Sequence, residues 1–321
     1  MQSKAAFVVA ACLVGSALVS GQDGRPIQPM KRTNSRVPAP KELAAPDIPG
    51  VVKAGTKIVL IGSDFNGGEG AISMPDGSLL FVAQGTNRVY KVDKDDHISV
   101  YVENTNRANG LGIDQKGRLI GVGGMPPSIG VLSPTRSVLF DSFGGEPLKS
   151  PNDLVIDRKG GIYFTDPNIG LGRRPLIFYI TPDGQLTKAT EQISYPNGVQ
   201  LSPDEKTLYA TNGTAIVAFD VQSDGSLTNA RTFAASAGDG MAIDSEGRLY
   251  AALSFLWHPP GDVQGVRVFS PQGDVLGIIP TGVPPSSVAF AGPDKKTLYM
   301  VGAGGVQKVQ MIAQGFMGRA K

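Results

Sequence analysis

The chain has 321 residues, with 30 Lys and Arg against 28 Asp and Glu, for a formal net charge of +2. Charged residues make up only 18%, below the ~25% usual for soluble domains. The absence of a basic block argues against nucleic acid as a partner. Its 42 Gly and 24 Pro separate short apolar runs, a pattern that favours many short strands over helices.

Residues 1–21 read as an export signal. Lys4 supplies the positive start, residues 5–19 are nearly all apolar or small, and Ser20 and Gly21 precede polar Gln22. That run is too short for a good membrane span. Cleavage near Gly21 predicts an exported protein, periplasmic or secreted, with no membrane span in the mature chain. Cys12, the one cysteine, lies inside this segment. The mature chain therefore has no disulfides, zinc–thiolate sites or cysteine nucleophiles. Residues 22–55 mix Pro, Lys and Arg with little periodicity and read as a flexible arm.

From Gly68 onward the chain repeats. Six segments begin with a polar residue followed by an apolar run: Glu69, Asn109, Asn152, Asn197, Asp239 and Ser286, at spacings of 40, 43, 45, 42 and 47 residues. In four of them a glycine follows eight residues later (Gly77, Gly117, Gly160, Gly247). The other two carry longer turns, Ser202-Pro-Asp-Glu-Lys-Thr and Gly292-Pro-Asp-Lys-Lys-Thr. A strongly β-like run comes next, as in Ile162-Tyr-Phe-Thr, Leu208-Tyr-Ala-Thr and Leu298-Tyr-Met-Val, and then a further hairpin. Four strands at this period are the signature of propeller blades. The expected fold is all-β, a six-bladed β-propeller over residues 56–313 with a tail at 314–321. The last repeat is one strand short, and Lys57-Ile-Val-Leu-Ile-Gly-Ser has no partner nearby in sequence. That strand is predicted to join the last blade and close the ring, which removes the open sheet edges. A sandwich gives no reason for six key residues at near-constant spacing.

In a propeller the innermost strands line the central channel, so the six key residues should crowd one of its mouths. A turn-former would account for Asn109 but accounts poorly for Glu69. Two carboxylates and three amides, with no lysine or arginine among them, are hard oxygen donors suited to a divalent cation such as Ca²⁺ or Mg²⁺. Without an ion the two acids would repel and one would tend to protonate. Of the two histidines, His97 sits in a charged hairpin and reads as exposed. His258 follows Trp257 in a Pro-rich loop that could overhang the channel mouth and touch substrate. Asp166 reads as a turn cap, and no Gly-x-Ser-x-Gly occurs to support a serine triad.

The stretches Gly68-Glu-Gly, Ser150-Pro-Asn-Asp-Leu-Val, Tyr163-Phe-Thr-Asp-Pro, Tyr195-Pro-Asn-Gly-Val and Gly238-Asp-Gly-Met-Ala-Ile-Asp occur in a fixed order. At these residues the chain resembles the SMP-30/gluconolactonase/luciferin-regenerating-enzyme-like family. The resemblance implies that Glu69, Asn197 and Asp239 ligate a metal, with Asn152 binding substrate or reaching the metal. It implies Asp239 as base or nucleophile and leaves Asn109 open between substrate contact and turn-former. It also implies a small-molecule substrate, a lactone such as a sugar lactone, opened with help from a divalent cation. Ca²⁺ is the leading choice, with Mg²⁺, Mn²⁺ or Zn²⁺ as alternatives for an oxygen-only site. Departures stand at Ala71, where the family often has proline, and at Ser286-Ser287, where relatives often carry Thr-Asn. A phosphotriester-hydrolysing relative and a non-enzymatic NHL-like binding propeller are the alternative functions. A closed ring needs no partner subunit, so a monomer is expected.

Overall fold

The computed structural model describes residues 43–167, 176–236, 238–254, 264–302 and 304–321. The predicted export signal and His258 lie outside the described residues. The described chain is almost wholly strand, with one short 3-10 turn at Gln84–Thr86. No described helix is long and apolar enough to cross a membrane.

Six antiparallel sheets, each built around four strands, form the blades of a propeller. Their inner strands are Gly68–Ser73, Ala108–Ile113, Leu154–Ile156, Pro196–Leu201, Met241–Ile243 and Pro285–Ala291. The predicted turn glycines take positive φ, +81° at Gly77, +73° at Gly117, +89° at Gly160 and +80° at Gly247, a conformation that only glycine adopts without strain. Neighbouring blades share their cores. Ala71, Leu79 and Phe81 of blade 1, for example, pack with Ala289, Tyr299 and Val301 of blade 6.

Ring closure follows the expected route. The strand Lys57–Gly62 pairs antiparallel with Gly305–Gln310 and becomes the outer strand of blade 6. Residues 43–55, expected within the flexible arm, are instead packed. Leu43–Ala44 pairs with the closing strand, and Ile48, Val51 and Val52 join the core between blades 5 and 6 beside Ile279, Val309 and Met311. Burying each of these aliphatic side chains is worth about 1.5–3 kcal/mol, enough to fix a short segment. The residues beyond the last strand, 314–321, turn under the ring at the end of the channel opposite the key residues.

Glu69, Asn109, Asn197 and Ser286 sit in bulged starts of inner strands, and Asn152 and Asp239 lie two residues ahead of theirs. Register shifts interrupt pairing between Glu69 and Ile72, Ala108 and Gly110, Pro196 and Val199, and Pro285 and Ser287. Asn109 lies within its strand, so the turn-former reading of this residue is corrected. The glycine after it serves the contact between blades. A Cβ on Gly70 would lie 2.4 Å from the carbonyl oxygen of Asn109, one on Gly110 2.9 Å from that of Asn152, and one on Gly198 2.0 Å from that of Asp239. Each blade's key carbonyl therefore presses on the backbone of the blade before it, an approach that glycine permits. Gly198→Ala should accordingly force blades 4 and 5 apart and destabilise the fold by about 1–3 kcal/mol, read by chemical denaturation. An unchanged unfolding midpoint would rule out this packing role.

Candidate functional site

Two blades lack glycine after the key residue, and there a side chain makes the bond to the neighbouring blade. Asp153 Oδ2 accepts from the Val199 N–H of blade 4 at 2.9 Å, and Ser287 Oγ accepts from the Ala71 N–H of blade 1 at 2.9 Å. Second-strand hydroxyls add to the seam. Thr165 Oγ donates to the Asn197 carbonyl at 2.7 Å and accepts from the Asp153 N–H at 3.1 Å. Thr211 Oγ accepts from the Gly198 N–H at 2.7 Å. The Gly240 N–H donates to the Ser286 carbonyl at 2.8 Å. These bonds fix the backbones that carry Asn152, Asn197, Asp239 and Ser286 at one mouth of the channel. Asp166 acts as the expected cap. Its carboxylate accepts from the Lys149 and Ser150 N–H groups at 3.0 and 2.8 Å, which shapes the approach to Asn152.

Asn197 and Asp239 are buried, whereas Glu69, Asn109, Asn152 and Ser286 are partly exposed. The electrostatics are those of acids held together. The Glu69 carboxyl is held well above the usual carboxylate range, chiefly because the surrounding blades desolvate it and next because the Asp239 charge faces it. Asp239 is likewise raised, chiefly by burial. Ser254 and Asn197 beside it favour the ionised form, while Asp153 opposes it. Two further atoms are conspicuous. Asn109 Oδ1 and Asn197 Oδ1 are buried acceptors without a hydrogen-bond partner, a state that ordinarily costs about 1–3 kcal/mol each. A hard divalent cation would relieve both anomalies, by offsetting the repulsion between the acids and engaging amide oxygens. The donor set fits such an ion. No group of three or more His, Cys, Asp or Glu side chains gathers as a metal cage among the described residues, so amide oxygens would have to complete the coordination.

The structure thus brings Glu69, Asn197 and Asp239 into one electrostatic unit and sets Asn109 and Asn152 on the same ring. Asp153, Thr165 and Lys321 were not singled out in the sequence. The signal for Asp153 was present, since Asn152-Asp153 breaks the run of glycines after key residues. His97 is exposed, as expected, beside Asp93.

A family model described as the SMP-30/Gluconolactonase/LRE-like region matches residues 67–304. The chain is 29% identical to a gluconolactonase of Zymomonas mobilis over 310 residues, covering 83% of this chain and 84% of that relative. It is 27% identical to the lactonohydrolase oryL of Aspergillus oryzae over 59% of this chain and 51% of that relative. Among solved structures, a gluconolactonase from Xanthomonas campestris, 26% identical, matches with a TM-score of 0.72 over 85% of this chain and 98% of that one. The calcium-binding regucalcin of Agrobacterium tumefaciens matches with a TM-score of 0.66 at 15% identity over 80% and 94% of the two chains. At that identity the likeness speaks to the fold alone.

Proposed function

The chain belongs to the SMP-30/gluconolactonase/LRE-like family, and from that premise we propose that it hydrolyses the ester bond of a lactone, a sugar lactone above all. The observation that carries the reading is the pair of acids, partly exposed Glu69 and buried Asp239, both raised chiefly by desolvation and flanked by two unpartnered amide oxygens. The gluconolactonases of Z. mobilis and X. campestris support the substrate class. Glu69, Asn197 and Asp239 would hold a divalent cation, with Ca²⁺ as the first choice, and Asn152 would reach it or the substrate.

When bound, that cation supplies Lewis-acid polarisation of the lactone carbonyl. The chain's own residues do the rest. Asn152 and Asn109 offer amide groups at the rim to orient the substrate's hydroxyls. Asp239, once ionised, accepts a proton from a water whose oxygen attacks the acyl carbon. The ring C–O bond then breaks, and the proton passes from Asp239 to the departing alkoxide oxygen, leaving a hydroxy acid. A carboxylate is a weak base, which suits an ester and would not suit an amide.

Lactone opening by the purified protein, followed by proton release, is expected to disappear on treatment with EDTA and to return with added Ca²⁺ or Mn²⁺. Turnover indifferent to chelation would remove the cation from the mechanism. Retention of a cation-dependent melting temperature with no turnover of any lactone or phosphotriester would favour a binding propeller.

A further inference from the structure

The segment that follows the last strand is laced to five of the six blades. The Phe316 N–H donates to the Ile243 carbonyl of blade 5 at 3.1 Å. Lys295 of blade 6 donates to the Phe316 carbonyl at 3.0 Å and to the Arg319 carbonyl. Arg319 donates to the Leu201 and Ser202 carbonyls of blade 4 and pairs with Glu205 at 3.0 Å. The Ala320 carbonyl accepts from the Ser73 N–H of blade 1 at 2.7 Å. A cavity of about 460 Å³ remains between this segment and the lower ends of blades 1, 2, 3 and 6. Its charged lining is committed elsewhere, Asp114 to Arg118 and Arg158 to Glu205, so nothing there selects a ligand.

These contacts deliver Lys321 into the channel from below. Its ammonium pairs with the Asp153 carboxylate of blade 3 and donates to the Leu154 carbonyl at 3.3 Å. Both residues are buried, with Lys321 9% and Asp153 7% exposed. Asp153 also accepts from two N–H groups, Leu154 on Oδ1 at 2.8 Å and Val199 on Oδ2 at 2.9 Å. Lys321 also lies within electrostatic reach of both Glu69 and Asp239.

We propose that Lys321 is a positioning residue that tunes the axial site for a divalent cation, by holding the Asp153 carboxylate and so keeping this third acid out of the donor set. The proposal rests on the cation reading above and follows from charge. Fully ionised, Glu69, Asp239 and Asp153 carry three negative charges into the channel. One ammonium leaves two, the complement of a divalent ion. Without that ammonium, a buried carboxylate loses its countercharge, and the nearest compensation is the cation itself. A site with an added anionic charge binds a hard cation more tightly. It also leaves the ion a poorer electrophile for a carbonyl. Lys321 thus trades affinity for reactivity.

The test is calorimetric titration of the full chain with Mn²⁺ and Ca²⁺, beside steady-state lactone kinetics. Lys321→Met is expected to bind the cation about tenfold more tightly, with kcat lowered. A lysine that merely braces the fold would give weaker binding in that variant. Should Lys321→Met fail to fold, the double variant Asp153→Asn, Lys321→Met decides, because it restores two net negative charges. Affinity within about threefold of wild type supports the proposal, and loss of binding overturns it. If the wild-type chain itself binds no divalent cation, the axial site falls and this role falls with it. If wild type binds and Lys321→Met binds no more tightly, only the role of Lys321 falls.

Discussion

Asp239→Asn should reduce lactone turnover on the order of 10³-fold while leaving the propeller folded. The size follows from what one side chain is asked to do. A positioned base contributes about 10²–10⁴-fold, and this carboxylate would also be one of only two charges holding the cation. The fold should tolerate the change because Asn keeps the shape and the polarity at that point. The backbone there is fixed independently, by the Asp239 N–H to the Ala252 carbonyl at 2.9 Å and by the packing of Gly198 against the Asp239 carbonyl. Removing a buried, repelled charge should even stabilise the cation-free protein near pH 8. Initial rates on a lactone panel, paired with thermal melts in EDTA, check both halves. Turnover within tenfold of wild type would remove Asp239 from the proton transfer. A collapsed melting temperature would show that the carboxylate braces the fold instead.

Much of this site was legible because a propeller writes its geometry into its period. Six key residues at 40–47 residue spacing could share a channel mouth only if each stood at the head of an inner strand; four lie in the first residues of one, and Asn152 and Asp239 stand two residues ahead of theirs. The strand Lys57–Gly62 was placed by counting, since blade 6 lacked a partner for Gly305–Gln310. Other features were hidden for physical reasons. Asn-Gly and Asp-Gly look like turn signals, yet Gly110, Gly198 and Gly240 exist to let the next blade's carbonyl approach, a contact between residues some 40 positions apart. Ile48, Val51 and Val52 were masked by Pro and charge around them, although three apolar residues suffice to pin a short segment to a waiting core. The pairing of Lys321 with Asp153 spans 168 residues and follows no period. It depends on where the last segment re-enters the ring, which only the tertiary structure decides.

Without a cation, the contribution of the acid pair to stability should fall as pH rises from about 5 to 8. Glu69 and Asp239 both have folded-state pKa values above those of the unfolded chain, Asp239 at about 7 against 3.8. Between those values the folded protein holds protons that the unfolded chain has released, so stability is fully present below the unfolded pKa and is lost as pH rises through the folded one. This is the reverse of Asp76, whose exposed carboxylate is lowered to about 2 and favours folding at neutral pH. Other groups titrate as well, so the informative quantity is the difference between wild type and Asp239→Asn in EDTA. That difference should widen with pH by several degrees, given about 2–4 °C per kcal/mol for chains approaching this size. A saturating cation should reverse the trend, adding about 2.7 kcal/mol when it is present at a hundred times its Kd. Binding should release protons below about pH 7, since the ion and the protons compete for the same oxygens. Calorimetry in buffers of different ionisation enthalpy counts them directly. Parallel melting curves for the two proteins across this range, with no proton release on titration, would mean that Glu69 and Asp239 do not share a charge-repelled site.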